Sequence, residues 1–264
     1  MTDHTAHIKE EFARQAETMS AASTFTDLAL LERIQTAIAP TPTMRILDLG
    51  CGPGIIVAVL APLVEEVVGF DLTPEMLRKA RERCSQSGVE NVRLLLGNAE
   101  KLPFKDGTFD AVVTRCTIHH FKDPRVVISE MARVTRSSGR VVAVDIVSSE
   151  DPKEAELHNA LEVLRDPSHV RMLPKSLLLT MVQESGLRII SDTTWEKERR
   201  FDEWAHIVND PKRTSPLETV MLGLAGGENR AGIDLRLDGD KVVFTHRWLL
   251  VTAEKLSDTG AKSV

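Results

Sequence analysis

Between residues 43 and 147, short runs rich in Val, Ile and Leu alternate with segments whose apolar residues recur at helical spacing. The runs MRILDL (44–49), VVGF (67–70), VRLLL (92–96), FDAVVT (109–114) and GRVVAVDIV (139–147) predict five strands. They are almost continuously apolar, as strands covered on both faces are. Helices are predicted over 54–64, 74–87 and 124–135, which gives the rhythm of parallel βαβ units. Thr73 before Pro74 and Asp123 before Pro124 supply helix starts, and Gly88 and Gly139 are placed as left-handed closing residues.

After 147 the rhythm changes. Residues 148–167 read as a polar amphipathic helix and 174–185 as a second one, closed by Gly186. Two further β-like runs, 187–195 and 241–254, suit a reversed pair at one sheet edge, and 201–240 reads as mostly helical with loops. No repeat or low-complexity linker divides the chain. The expectation is one domain, 1–264, with a core at 41–150 and a cap assembled from 1–40, 151–180 and 197–240. The tail 257–264 is expected to fray.

Composition narrows the chemistry. The chain has 264 residues, 42% hydrophobic and 27% charged, which is ordinary for a packed globular domain. It has no tyrosine, so no phenol can serve as acid, base or oxyanion donor. A net charge of −6 disfavours a nucleic-acid partner, whose affinity would draw on Lys and Arg. Cys51, Cys84 and Cys116 are odd in number and lack zinc-knuckle spacing, which suggests a reducing, cytoplasmic setting. The N-terminal stretch lacks an apolar core of signal-peptide length, and the longest apolar run, 55–62, is too short to span a bilayer, so no membrane insertion is expected.

The densest motif is ILDLGCGPG, 46–54, between the first predicted strand and helix. Gly50, Gly52 and Gly54 allow a tight turn and close backbone approach to a ligand. A dinucleotide fingerprint would need its third glycine at 55, where Ile55 stands. Asp48, at the strand end, would repel a pyrophosphate but attract an ammonium group. Asp71 closes the second strand, where a carboxylate can accept both ribose hydroxyls. Asn98, Ala99 and Glu100 follow the third strand and could read an adenine edge. Together they describe a pocket for an adenosine bearing a cationic amino-acid tail.

On these residues the chain resembles the class I S-adenosylmethionine-dependent methyltransferases, in the group related to the ubiquinone and menaquinone C-methyltransferases. The resemblance covers about 43–147. It implies a Rossmann-like α/β fold with a seven-stranded, mostly parallel sheet in the order 3-2-1-4-5-7-6, helices on both faces and a helical cap. It implies S-adenosyl-L-methionine as cofactor, S-adenosyl-L-homocysteine as product, and no metal. By resemblance, Asp48, Gly50, Cys51, Gly52 and Gly54 hold the methionine end, Asp71 and Leu72 the ribose and one adenine face, and Asn98, Ala99 and Glu100 the base. Met76 packs near the ribose, and Arg115 and Cys116 border the cofactor. Asn98 replaces the commoner Asp, which keeps an acceptor oxygen and loses a charge.

For the methyl acceptor, the segment TRCTIHHF (114–121) resembles a His-His-Phe segment of the same group. His119 and His120 are the candidate bases, since a neutral imidazole can take the proton that methylation releases. His169 and Arg171, in a Ser-His-Val-Arg segment, are expected to orient the acceptor. Phe12 and Met19 lie in FARQAETM, which resembles a lid helix in which Met19 replaces a tyrosine. The acceptor is expected to be a small molecule, methylated on an electron-rich aromatic or heteroaromatic carbon. Methylation of N or O, or binding of the cofactor without transfer, remains open. The protein is expected as monomer or homodimer. A short-chain dehydrogenase would need a catalytic tyrosine. A metal-dependent catechol-type enzyme would need an acid where Thr114 and Arg115 stand.

Overall fold

The computed structural model describes residues 3–22, 24–227 and 231–257. Five strands form the parallel part of the sheet: β1 (Arg45–Leu49), β2 (Glu66–Asp71), β3 (Val92–Leu96), β4 (Phe109–Arg115) and β5 (Thr135–Val147). The long strands β6 (Leu187–Arg200) and β8 (Lys241–Lys255) complete it, giving the order β3-β2-β1-β4-β5-β8-β6. Strand β8 runs antiparallel to both β5 and β6. This is the expected order, with one addition: the short β7 (Arg236–Asp238) pairs with β8 as a hairpin arm.

Alternation along the strands sorts side chains to two faces. Leu47, Val112, Val141 and Ala143 point to the face covered by α5 (Pro124–Val134) and α7 (Lys175–Glu184). Ile46, Ala111, Val113, Val142 and Val144 point to the face covered by α2 (Leu28–Ile38), α3 (Ile55–Leu60) and α4 (Pro74–Gln86). Helix α2 therefore departs from its expected place in the cap. Leu30, Leu31, Ile34 and Ile38 make it a sheet-packing helix, started by Asp27, whose side chain accepts from Ala29 and Leu30 N–H.

Three local expectations change. The first α/β helix ends at Leu60 and tightens into a 3₁₀ turn over Ala61–Leu63, where Pro62 removes an N–H. The Thr73 side chain makes no capping bond; Asp71 Oδ1 instead accepts the Thr73 N–H at 2.9 Å. Gly139 closes no helix but lies inside β5, where a Cβ would come within 2.8 Å of the Asp110 carbonyl oxygen.

The cap is built from α1 (Asp3–Ala21), α6 (Pro152–Arg165), α8 (Phe201–Val208) and α9 (Pro211–Ala225). Phe201, Trp204, Leu217 and Met221 form its own small core with Leu161, Val242 and Phe244. Strand β6 runs five residues past its expected end, and this carries Arg199 into the cap opposite Phe244. Residues 258–264 of the tail expected to fray lie outside the described residues. Among the described residues, no helix is long and apolar enough to cross a membrane.

Candidate functional site

At the carboxyl ends of the parallel strands, the loop after β1 turns back under the end of β2. Gly50 and Cys51 N–H both donate to the Phe70 carbonyl, at 2.8 and 3.1 Å. Gly52 N–H donates to Asp71 Oδ2 at 2.8 Å. Two glycines here do different work. Gly52 has φ +51° and open space where a Cβ would stand, so its bare backbone is cavity wall. Gly54 has φ +76°, and a Cβ there would lie 2.8 Å from Ala80 Cα. Gly54 thus lets α4 approach the loop and does not border the cavity, contrary to its expected ligand role.

All the other expected cofactor residues border one cavity: Asp48 at the end of β1 with Gly50, Cys51 and Gly52 after it, Asp71 and Leu72 at the end of β2 with Met76 on α4, Asn98, Ala99 and Glu100 after β3, and Arg115 and Cys116 at the end of β4. Asp48 is 1% exposed and its Oδ2 has no hydrogen-bond partner among the described residues. Burial pushes its carboxyl up to about 7; Arg115 pulls the other way and Asp71 adds to the rise. Such a group asks for a cationic partner. Burial also raises Asp71, against the N–H groups of Thr73 and Gly52 that fix its two oxygens. Asn98 is set by a local turn, its Oδ1 accepting Glu100 N–H and its Nδ2 donating to Glu100 Oε2, both at 3.0 Å.

A second cavity adjoins the first and shares Phe12, Met19, Phe25, Cys116 and His120 with it. Trp204, Trp248 and Ile207 give it apolar walls, while His119, Arg165, Arg199 and His246 supply polar groups. Cys116 holds φ +55°, strained for a residue with a side chain, and burial lifts its thiol to about 12, so it stays protonated.

The two candidate bases differ sharply. Burial opposes charge on His119, but Asp145, 2.5 Å from its Nδ1, more than offsets this and raises its pKa. His120 is lowered to about 4 by burial and then by the neighbouring His119. Its Nδ1 donates to the Ser168 carbonyl at 3.1 Å, which leaves the lone pair on Nε2. His120 borders both cavities; His119 borders only the second.

His169 and Arg171 border neither cavity. His169 Nε2 bonds Asn159 Oδ1 at 2.9 Å, and burial lowers its pKa to about 2. Arg171 is exposed and contributes its backbone N–H to the His119 carbonyl. The Ser-His-Val-Arg segment thus supports the two histidines from behind.

Helix α1 crosses over the cavities and is tied at several points. His4 Nε2 donates to the His120 carbonyl at 2.8 Å, Gln15 to Asp166 Oδ2 at 2.9 Å and Thr18 to the Ile207 carbonyl at 2.6 Å. Arg83 on α4 spans Pro53 O in the glycine loop and Ser20 O on α1, at 3.0 and 2.8 Å. Phe12 meets the His120 ring edge-on, with centroids 4.8 Å apart.

Sequence reasoning missed Asp145, Phe25 and Arg199. Asp145 carried a readable signal, a lone carboxylate inside the apolar run 141–147. Phe25 and Arg199 carried none, since only folding brings them beside Arg115 and Thr24.

Residues 40–202 match the family described as a methyltransferase domain. The uncharacterized methyltransferase YcgJ of Bacillus subtilis is 35% identical over 213 residues, 80% of this chain and 84% of that protein. The crystal structure of Bacillus subtilis YcgJ superposes with a TM-score of 0.80 at 31% identity, covering 86% of this chain and 98% of the other. A demethylmenaquinone methyltransferase of Corynebacterium kroppenstedtii is 29% identical over 168 residues, 60% of this chain and 70% of that protein.

Proposed function

The chain belongs to the S-adenosylmethionine-dependent methyltransferases, and from that premise we propose that it methylates a ring carbon of an electron-rich aromatic or heteroaromatic small molecule seated in the second cavity. S-adenosylmethionine, when bound, supplies an electrophilic methyl on a sulfonium. The first cavity fits it: the unpartnered Asp48 oxygen suits its ammonium, Gly52 leaves room beside its methionine end, and Asp71 with Leu72 suits its ribose and adenine. Asn98, Ala99 and Glu100 would meet the base. Met76, Arg115 and Cys116 would close the remaining sides.

The observation that carries the acceptor class is the neutral, weakly basic His120 on the wall common to both cavities. A base with a pKa of about 4 does not ionise a hydroxyl in advance. It suffices for the strongly acidic cation left on a ring carbon after methyl addition. His120 Nε2 then takes the ring proton while the ring's electron pair restores aromaticity. The Ser168 carbonyl holds the other ring nitrogen as donor throughout. Apolar walls from Phe12, Trp204 and Trp248 suit a flat ring and exclude water. The demethylmenaquinone methyltransferase among the relatives acts, by its name, on a quinone-type molecule, in keeping with this class.

The test is a product scan with isotopically labelled methyl donor against a metabolite extract. Label on a ring carbon supports the reading, and label on N or O, or none, removes it. His120→Ala is expected to lower kcat about 10²-fold or more with cofactor affinity intact. Unchanged turnover would end the base role. The lid role of α1 predicts that S-adenosylhomocysteine slows hydrogen exchange over residues 8–22.

A further inference from the structure

Behind the second cavity, α6 and β8 bring together three side chains that the methyl-transfer reading does not use. His158 and Glu162 lie four apart on α6 and so share one face. His246 meets them from β8. Their exposures are 2%, 0% and 1%. Glu162 Oε1 lies 3.3 Å from His246 Nε2 and 3.8 Å from His158 Nε2, and one donor atom of each residue falls within 4.8 Å of the others.

Among the described residues, neither ring nitrogen of His158 or His246 has a hydrogen-bond partner, and neither does Glu162 Oε1. Burying so many unpaired polar atoms is costly. One ligand at the common point of the three groups would relieve one atom of each. The other Glu162 oxygen is already taken by Arg165 Nη2 at 2.9 Å, which leaves Oε1 as a single-oxygen donor.

We propose that His158, Glu162 and His246 form a binding site for a divalent transition metal of the zinc class. Two imidazoles and a carboxylate are a donor set that such ions take, and bonds of about 2.0–2.1 Å in a tetrahedron place donors roughly 3.3 Å apart. The Glu162–His246 separation already has that value, and His158 Nε2 lies 3.8 Å from the same Glu162 oxygen. Three protein donors leave one coordination position. Arg165, held on the other Glu162 oxygen, places a positive charge beside that position. His246 also borders the second cavity, which makes the metal a neighbour of the acceptor. The site is independent of the position after β4 at which the sequence excluded a metal ligand.

The experiment uses the full chain, stripped with a chelator and titrated with Zn²⁺ and Co²⁺. Uptake of one ion per chain that survives gel filtration, with the visible absorption of low-symmetry Co²⁺, is the expected result. His158→Gln and His246→Gln should each weaken Co²⁺ binding at least tenfold while S-adenosylhomocysteine binding stays as in the wild type. Substoichiometric uptake, or binding unchanged in both variants, overturns the proposal. Because the wild-type spectrum is read first, a variant that fails to fold leaves the proposal falsifiable. Failure of the methyl-acceptor reading leaves the metal result untouched.

Discussion

The His119 ring stands 2.5 Å through Nδ1 from Asp145 Oδ1, and the same carboxylate accepts the Ile118 N–H on its other oxygen at 2.9 Å. One carboxylate on β5 thus orders the whole turn after β4. Because His119 is raised in the folded state, its contribution to stability is fully present below the unfolded pKa of about 6.5 and is lost as pH rises through the folded value. Asp145→Asn is expected to cost about 1.5–3 kcal/mol at pH 6, the range for a charged hydrogen bond. The loss should shrink at pH 9. Denaturant melts at the two pH values, with the His119 titration followed by NMR, check this. An equal loss at both would show that the pair is not charged.

Asp48 makes a second switch of the same sign. Its carboxyl is raised to about 7, so its neutral form favours the free protein, and that stabilisation, present below the unfolded value of 3.8, is lost as pH rises through about 7. An ammonium-bearing ligand prefers the ionised form. S-adenosylhomocysteine should therefore bind more tightly at pH 8 than at pH 6, with release of a proton near pH 6.5. Calorimetry in buffers of different ionisation enthalpy reads that proton directly. Asp48→Asn should flatten the pH dependence and weaken binding about tenfold, roughly 1.4 kcal/mol. A slope that persists in the variant places the titrating group elsewhere.

The two glycines of the loop should separate folding from binding. Gly54→Ala forces a Cβ against Ala80 at φ +76° and should destabilise the fold by about 1–3 kcal/mol. Gly52→Ala meets no protein atom, so its folding cost is only the left-handed backbone penalty of about 1–2 kcal/mol, yet its methyl enters the cavity. It should lower S-adenosylhomocysteine affinity more than tenfold. If Gly52→Ala binds normally, the loop does not contact the cofactor there.

The legible and illegible parts of this protein divide by range. The strand order and the first cavity follow from local patterns: apolar runs, ILDLGCGPG and single residues at strand ends such as Asp48 and Asp71. Gly54 was misread because a glycine that admits a ligand and one that admits a neighbouring helix have the same sequence signature, and only Ala80 decides between them. His169 and Arg171 were misread because a polar loop segment does not declare which way it faces; the carbonyl of His119 accepts the backbone N–H groups of Val170 and Arg171. The second cavity was illegible for the same physical reason. Arg199, Arg165 and His246 come from three separate elements, and their meeting depends on how far β6 and β8 extend beyond the sheet.

Arg199 shows what that extension produces. It is 5% exposed, and among the described residues its only hydrogen bond runs from Nη1 to Thr24 Oγ1 at 3.0 Å. Burial, and then Arg165, lowers its pKa. A guanidinium has five N–H donors, and desolvating them with one partner is unfavourable. Replacing it with an apolar side chain should therefore leave stability unchanged or raise it by about 1 kcal/mol, since a large share of the penalty for an unpaired buried charge disappears. The same group borders the second cavity, where its free N–H donors can meet an oxygen of the acceptor. Arg199→Met is expected to raise KM for the metabolite found in the labelled product scan about tenfold or more, with kcat and S-adenosylhomocysteine affinity close to wild type. Denaturant melts and steady-state kinetics separate the outcomes: a large loss of stability would make Arg199 a structural cation, and an unchanged KM would place the acceptor away from it.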